Sequence, residues 1–454
     1  MSARRASSRR ERELQQVGGP LRSRPEVRPH IVIAVANLPV ERDRRVIREC
    51  RALEGAGYRV SVICPRGAPG LTVVPGTRDA RILAYPQPFA GRGLWTFVME
   101  FFWSFLCVTA RVAQAVLFQR ARAVQVCNPP DVFWPLALVL RAMGRPFVFD
   151  HHDLSPEVYT SRGGDPDGVV CRVLRLFERL SLRCSSAVVS TNESYRKKAM
   201  ERGDCPASKI VVVRNGPEIG EVTGRTNPVD GVHTIVYLGV LGAQDGVDAA
   251  IRAAAELRDI RRDWRMVVAG DGECLSALRR LTTELGLDDM VEFTGWLESA
   301  QVDELLSRTT IALQPDPPTP HAEYSTMAKT VEYLARGVPV IAVDLTETRR
   351  SAGTAALYVP TGTPSELAEA VDELLSDPQR RSDMSATGRS RFTRELAWDH
   401  QASRYVTMWN RLLGRGTAHR VPAPRSQLHD LLTRPQPREE ITHRQLHEKM
   451  TRAW

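Results

Sequence analysis

The eight cysteines of this 454-residue chain are scattered, and none forms a Cys-x-x-Cys pair. That argues against a zinc site or a disulfide framework and fits a reducing compartment. An apolar leader is lacking as well. Residues 1–29 hold eight arginines against three glutamates and no apolar period, so a disordered, solvated basic arm is expected there, with no secretory signal and no nucleic-acid module. No short internal repeat is found. No Asp-x-Asp pair ends an expected strand, so the reading asks for no metal and no bound cofactor. Long hydrophobic runs are scarce. The one dense stretch, residues 94–110, is marginal in length for a membrane span, carries Glu100 and is followed by Arg111. It suits an interfacial helix lying in the membrane plane, or a core helix with its aromatics packed inside.

What is present reads as an ordinary globular protein of two or three domains, 43% apolar and 25% charged. Continuous apolar runs at 30–36, 59–64, 123–127, 146–150, 186–191 and 210–213 suit buried parallel strands. Helical patterns at 43–57, 131–143 and 169–184 lie between them. A polar stretch, 215–232, reads as a linker. A second alternating set follows, with strands at 233–238, 264–269, 290–293, 310–313, 339–343 and 356–359. An amphipathic helix spans 396–413, and a proline-bearing polar tail ends the chain. Such alternation implies α/β doubly wound sheets.

The segment from Ser325 to Gly337 carries the most chemistry. Ser325 suits a helix N-cap and Gly337 a C-terminal glycine. The first-turn N–H groups of such a helix form an anion site, with Lys329 one turn in. Lys329 and Glu332 share a face, which also fits a plain surface ion pair. A second candidate is the run Asp150-His151-His152-Asp153 at a strand end, where sheets of this type bind ligands. Adjacent histidines point in different directions, and no further ligand cluster accompanies them, which disfavours a metal. Asn37 lies in the loop after the first strand, and Asp43-Arg44-Arg45 follows it. The arginines suit an anion, while Asp43 equally suits a helix cap with the arginines in solvent. Asn192 or Ser194 also suits a cap. A glycine-rich loop, Gly239 to Asp248, opens the second set, and Gly272 sits in the loop after the next strand.

These motifs, with Ala312-Leu-Gln-Pro-Asp316 and Gly337-Val-Pro-Val-Ile341, resemble glycosyltransferase family 4, in the branch found in bacterial surface-polysaccharide clusters. The resemblance runs from about His30 to Leu413. It implies the GT-B architecture: two Rossmann-like domains facing a cleft, at 30–215 (acceptor) and 216–395 (nucleotide sugar). A helix at 396–414 would cross back to the first domain, with the arm at 1–29 and the tail at 415–454 outside both.

It further implies a retaining transfer from a nucleotide-sugar donor. His152, Asp153 and Lys329 would be catalytic. Gly239, Gly242, Gly272, Asp316, Ser325, Thr326, Met327, Lys329 and Glu332 would hold the donor, and Asn37, Arg44 and Arg45 the acceptor. The expected acceptor is a glycan linked to polyprenyl diphosphate. Residues 94–110 would touch the inner leaflet, and the protein would be cytoplasmic or peripheral on that membrane. The loops at 269–273 and 293–296 resemble those bordering the nucleobase.

Two departures stand out. The arginine and lysine that the family places in the first glycine loop fall on Val240 and Asp245. The first of its paired glutamates falls on Tyr324, beside Glu323, leaving Asp316 or Glu323 as replacements. A non-catalytic partner subunit and a sugar-nucleotide epimerase on the same fold are the alternatives.

Overall fold

The computed structural model describes residues 28–88, 94–222 and 231–415. Almost all of the expected arm and tail, and residues 223–230 of the expected linker, lie outside the described residues. Seven parallel strands form the first sheet: β1 (His30–Val35), β2 (Arg59–Pro65), β3 (Arg81–Tyr85), β4 (Ala121–Cys127), β5 (Phe147–His151), β6 (Ala187–Ser190) and β7 (Ile210–Val212). Their spatial order is β3-β2-β1-β4-β5-β6-β7. Strand β1 is buried throughout because helices cover both faces. Ile31, Ile33 and Val35 enter one core, and Val32 and Ala34 enter another on the opposite side. The register pairs Ile31 with Val60 on one flank and with Ala123 on the other.

The second sheet holds β8 (His233–Leu238), β9 (Trp264–Ala269), β10 (Val291–Gly295), β11 (Ile311–Gln314), β12 (Val340–Val343) and β13 (Ala356–Val359). Its order is β10-β9-β8-β11-β12-β13, again parallel. The order reverses between β1 and β4 in one sheet and between β8 and β11 in the other. Such switch points open a crevice at the strands' carboxyl ends.

Close backbone packing shapes that end of the second sheet. A Cβ at Gly270, where φ is +146°, would lie 1.8 Å from the Gly239 carbonyl oxygen. At Gly246, with φ +67°, it would lie 2.1 Å from the Pro315 oxygen. Only glycine lets these loops press together.

Helix Trp398–Leu412 returns to the first domain. Trp398, Tyr405 and Trp409 complete the core beneath helix Arg44–Gly55, and the Tyr58 hydroxyl donates to Asn410 Oδ1 at 2.7 Å. Helix Leu94–Phe118 buries Val108, Val112, Ala115 and Val116 against the sheet and exposes Val98, Met99, Phe102 and Leu106. All eight cysteines are free thiols.

Candidate active site

The first wall of the cleft is built on β5. Asp150, fully buried at its end, accepts from Arg45 at 3.1 Å, Gln125 Nε2 at 3.0 Å and His152 Nε2 at 2.8 Å. Burial alone would push the Asp150 carboxyl up. The Arg45 guanidinium and then His152 overcome this and hold it well below the carboxylate range. Glu49 lies against the same arginine at 3.2 Å, and burial and the neighbouring Asp150 charge push it well up. Arg45 therefore holds Asp150 ionised, while Glu49 is the easier of the two carboxyls to protonate.

Bonding of Nε2 to Asp150 fixes the imidazole of His152, which remains partly exposed. Behind it, Asn128 clamps the turn. Its Oδ1 accepts from the backbone N–H of His152 at 2.5 Å and of Asp153 at 3.2 Å, and its Nδ2 donates to the Asp153 carbonyl at 2.7 Å. Cys127, Asp150 and His152 bring three ligand-type atoms within 4.8 Å of one another. Burial keeps the Cys127 thiol protonated, and Arg45 already neutralises Asp150, so this set does not suit a cation.

The second wall centres on Lys329, in the first turn of helix Ala328–Ala335. Its Nζ donates to Asp316 at 2.8 and 3.1 Å, to Tyr237 Oη at 3.2 Å and to Asp245 at 3.4 Å. Burial opposes its charge. Asp316, with Tyr237 and Asp245, outweighs burial, and the ammonium's pKa rises well above its ordinary value. The carboxyl of Asp245 is pushed up by burial despite the pull of Lys329. Gly239 packs against this lysine, where a Cβ would stand 3.2 Å from Lys329 Cε.

A polar seam joins the walls. Asn192 Oδ1 caps helix Glu193–Gly203 through Tyr195 N at 2.8 Å, and Nδ2 crosses to the Tyr324 carbonyl at 2.8 Å. Tyr195 Oη meets Ser325 Oγ at 2.9 Å, and Ser194 N donates to Glu347 at 3.1 Å. Between the walls lies a cavity of about 120 Å³ lined by Asp153, Val158, Ser161 and Arg162 of the first domain and by Gln244 and His321 of the second. That is room for a few waters.

Residues 43–216 match the Glycosyl transferase 4-like domain family, and residues 222–391 match Glycosyl transferases group 1. The chain is a family 4-like glycosyltransferase of the GT-B fold. This glycosyltransferase is 26% identical to an alpha-D-kanosaminyltransferase of Streptomyces kanamyceticus over 56% of its own length and 67% of the relative's. It is 29% identical to a 2-deoxystreptamine glucosyltransferase of that organism, over 41% of its own length and about half, 48%, of the relative's. Among solved structures, sucrose-phosphate synthase from Thermosynechococcus elongatus superposes with a TM-score of 0.69 at 17% identity, covering 85% of this chain and 100% of that one. Anabaena HepE, in complex with UDP and glucose, superposes with a TM-score of 0.64 at 14% identity over 84% and 100%.

Several sequence-based expectations change on this geometry. Arg45 does not face an acceptor anion: its other donors go to the Val213 carbonyl at 2.8 Å and Asn215 Oδ1 at 2.7 Å, deep in the first domain. Arg44 stays exposed and Asn37 half-buried, while Asp43 caps the helix through Val46 N at 3.0 Å. Asp153 does not orient the imidazole, because Asp150 does; Asp153 lines the cavity instead. Ser325 is not the helix N-cap. It closes the short helix Pro320–Tyr324, and Met327 caps the next one, with Thr326 between them bonded to Asn192 and Glu347.

The glycine amides are engaged within the second domain. Gly239 N donates to the Ala269 carbonyl at 3.0 Å, Gly242 N to Asp245 at 3.2 Å and Gly272 N to Asp271 at 2.8 Å. Asp316 is buried against Lys329. Glu332 pairs with Arg336 at 2.5 Å rather than with Lys329. Sequence reasoning missed Arg162, Gln244 and His321 in the cavity wall, and Asn128 behind it. Asn128 did carry a signal, since it directly follows β4, where ligand loops begin.

Proposed function

We propose that this glycosyltransferase moves a sugar from a nucleotide-sugar donor to a hydroxyl of a lipid-linked glycan, with retention at the anomeric carbon. The cavity shared by the two domains carries this reading, since Asp153, next to His152, and Arg162 border it from one side and Gln244 and His321 from the other. In the transfer, the acceptor oxygen bonds to the anomeric carbon. The bond from that carbon to the phosphate oxygen breaks, its electron pair leaves on the nucleoside diphosphate, and the hydroxyl proton passes to that departing oxygen. The first-turn N–H groups of helix Ala328–Ala335 face the growing negative charge. His152, held by Asp150, orients the sugar. The UDP complexes of HepE support a nucleotide donor.

The enzyme works at the inner face of the plasma membrane. Helix Leu94–Phe118 supports this: residues Val98–Phe118 have a mean hydropathy of 1.6, one side packs on the sheet and the other is exposed and apolar. An in-plane contact fits that division.

The test is a thermal-shift screen against UDP, GDP, ADP and dTDP and their sugars, followed by transfer assays on polyprenyl-diphosphate glycans. One nucleotide should raise the melting temperature selectively and support transfer. No shift with any nucleotide, with or without acceptor and vesicles, would overturn the reading.

A further inference from the structure

A diphosphate bound in this cleft needs a cation, and the second domain offers it little. The loop from Gly239 to Gly246 contains no lysine or arginine. Lys329 lies beside it with Asp316 and Asp245 both on its ammonium. Across the cleft, Arg162 ends helix Ser155–Ser161 of the first domain and lines the shared cavity opposite Gln244 and His321.

We propose that Arg162 is the principal cationic contact for the donor's diphosphate, reaching it from the acceptor-side domain. This rests on the nucleotide-sugar reading above. A guanidinium presents a planar pair of N–H groups that matches two phosphate oxygens, and it keeps its charge when partly desolvated. Burial draws the Arg162 pKa down, while Glu273, Asp153 and Asp245 across and beside the cleft push it back up. Those carboxylates repel a diphosphate. Without Arg162 the lining of this cavity holds Asp153 and no arginine or lysine. Because the cation and the Lys329 helix sit on different domains, the diphosphate links the two. Gln244 and His321 add polar contacts from the opposite side.

The experiment measures calorimetric affinity for the nucleoside diphosphate selected by the screen, for the matching nucleoside, and for the sugar donor. Arg162→Ala should weaken the diphosphate by about 10- to 100-fold and leave the nucleoside unchanged. Arg162→Gln serves as a second variant should the alanine form fold poorly. Adding Val240→Arg, at an exposed position of the facing loop, should recover part of the lost affinity. Equal diphosphate binding by the wild type and both Arg162 variants overturns the proposal and leaves the nucleotide-sugar reading standing. A parallel loss for nucleoside and diphosphate also overturns it, since that marks a structural role. If the wild type binds no nucleotide at all, both fall together.

Discussion

Each domain holds a buried cation between two carboxylates beside the cleft, and the two arrangements differ in how far they are sealed from water. Arg45 in the first domain lies against Asp150 and Glu49, whose side chains are both 0% exposed. Both carboxylates are sealed from water. Lys329 in the second lies against Asp316 and Asp245, whose side chains are 3% and 14% exposed. Here one carboxylate stays within reach of solvent and of whatever enters the cleft. The first arrangement fixes a histidine from behind, and the second keeps one carboxylate partly open to solvent. A buried ion pair sealed from water acts as scaffold, while one left ajar remains able to respond.

The largest expected effect breaks the first arrangement. Arg45→Met leaves Asp150 uncompensated in the core and should cost about 3–5 kcal/mol in a denaturant melt. Lys329→Met should instead cost function. It leaves two carboxylates where the diphosphate arrives, and kcat/KM should fall at least about 100-fold. Similar stability losses with transfer unaffected by Lys329→Met would erase the contrast.

Asp150→Asn comes next. It keeps the packing but frees the imidazole, and kcat should drop about 10- to 100-fold at unchanged donor KM. A change in KM alone would place His152 outside the reacting site.

The smallest effect is one of pH. The folded-state pKa of Asp245 is raised, so on acidification from neutral pH it takes up a proton before an ordinary aspartate does. Lys329 is then less neutralised, and donor binding should tighten as pH falls towards the carboxylate range, with a flat profile in Asp245→Asn. Asp150 behaves oppositely. Its folded pKa is depressed, so its stabilisation is present above the ordinary aspartate range and lost only as pH falls through the low folded value. Stability carried by Asp150 should therefore stay level across the window in which donor binding changes. A donor-binding curve that is flat in the wild type would remove the distinction.

The strands were legible because burial on both faces leaves uninterrupted apolar runs, as in β1 and β12. Strand β3 was not, since it is an edge strand with its first residue exposed and the next three only partly buried. Lys329 could be found from the helix pattern around it. Its partners could not, because Asp316 and Asp245 stand 13 and 84 positions away. Arg45 was misread for a related reason. Arginine is ordinarily a surface residue, and what buries it here is a carboxylate 105 positions along and an asparagine 170 along. Cleft residues such as Arg162 and His321 carry no local signature, since only the docking of two domains makes them neighbours.

The returning helix Trp398–Leu412 also sets a timetable for synthesis. Tyr58 waits for Asn410, which is 352 positions downstream. While the ribosome makes the second domain, helix Arg44–Gly55 and the sheet beneath it lack the cover later given by Trp398, Tyr405 and Trp409. The emerging first domain is then an unfinished shell with an apolar seam open to chaperones or to other nascent chains. A chain released early, just short of this helix, would carry both sheets and still be unable to close the first.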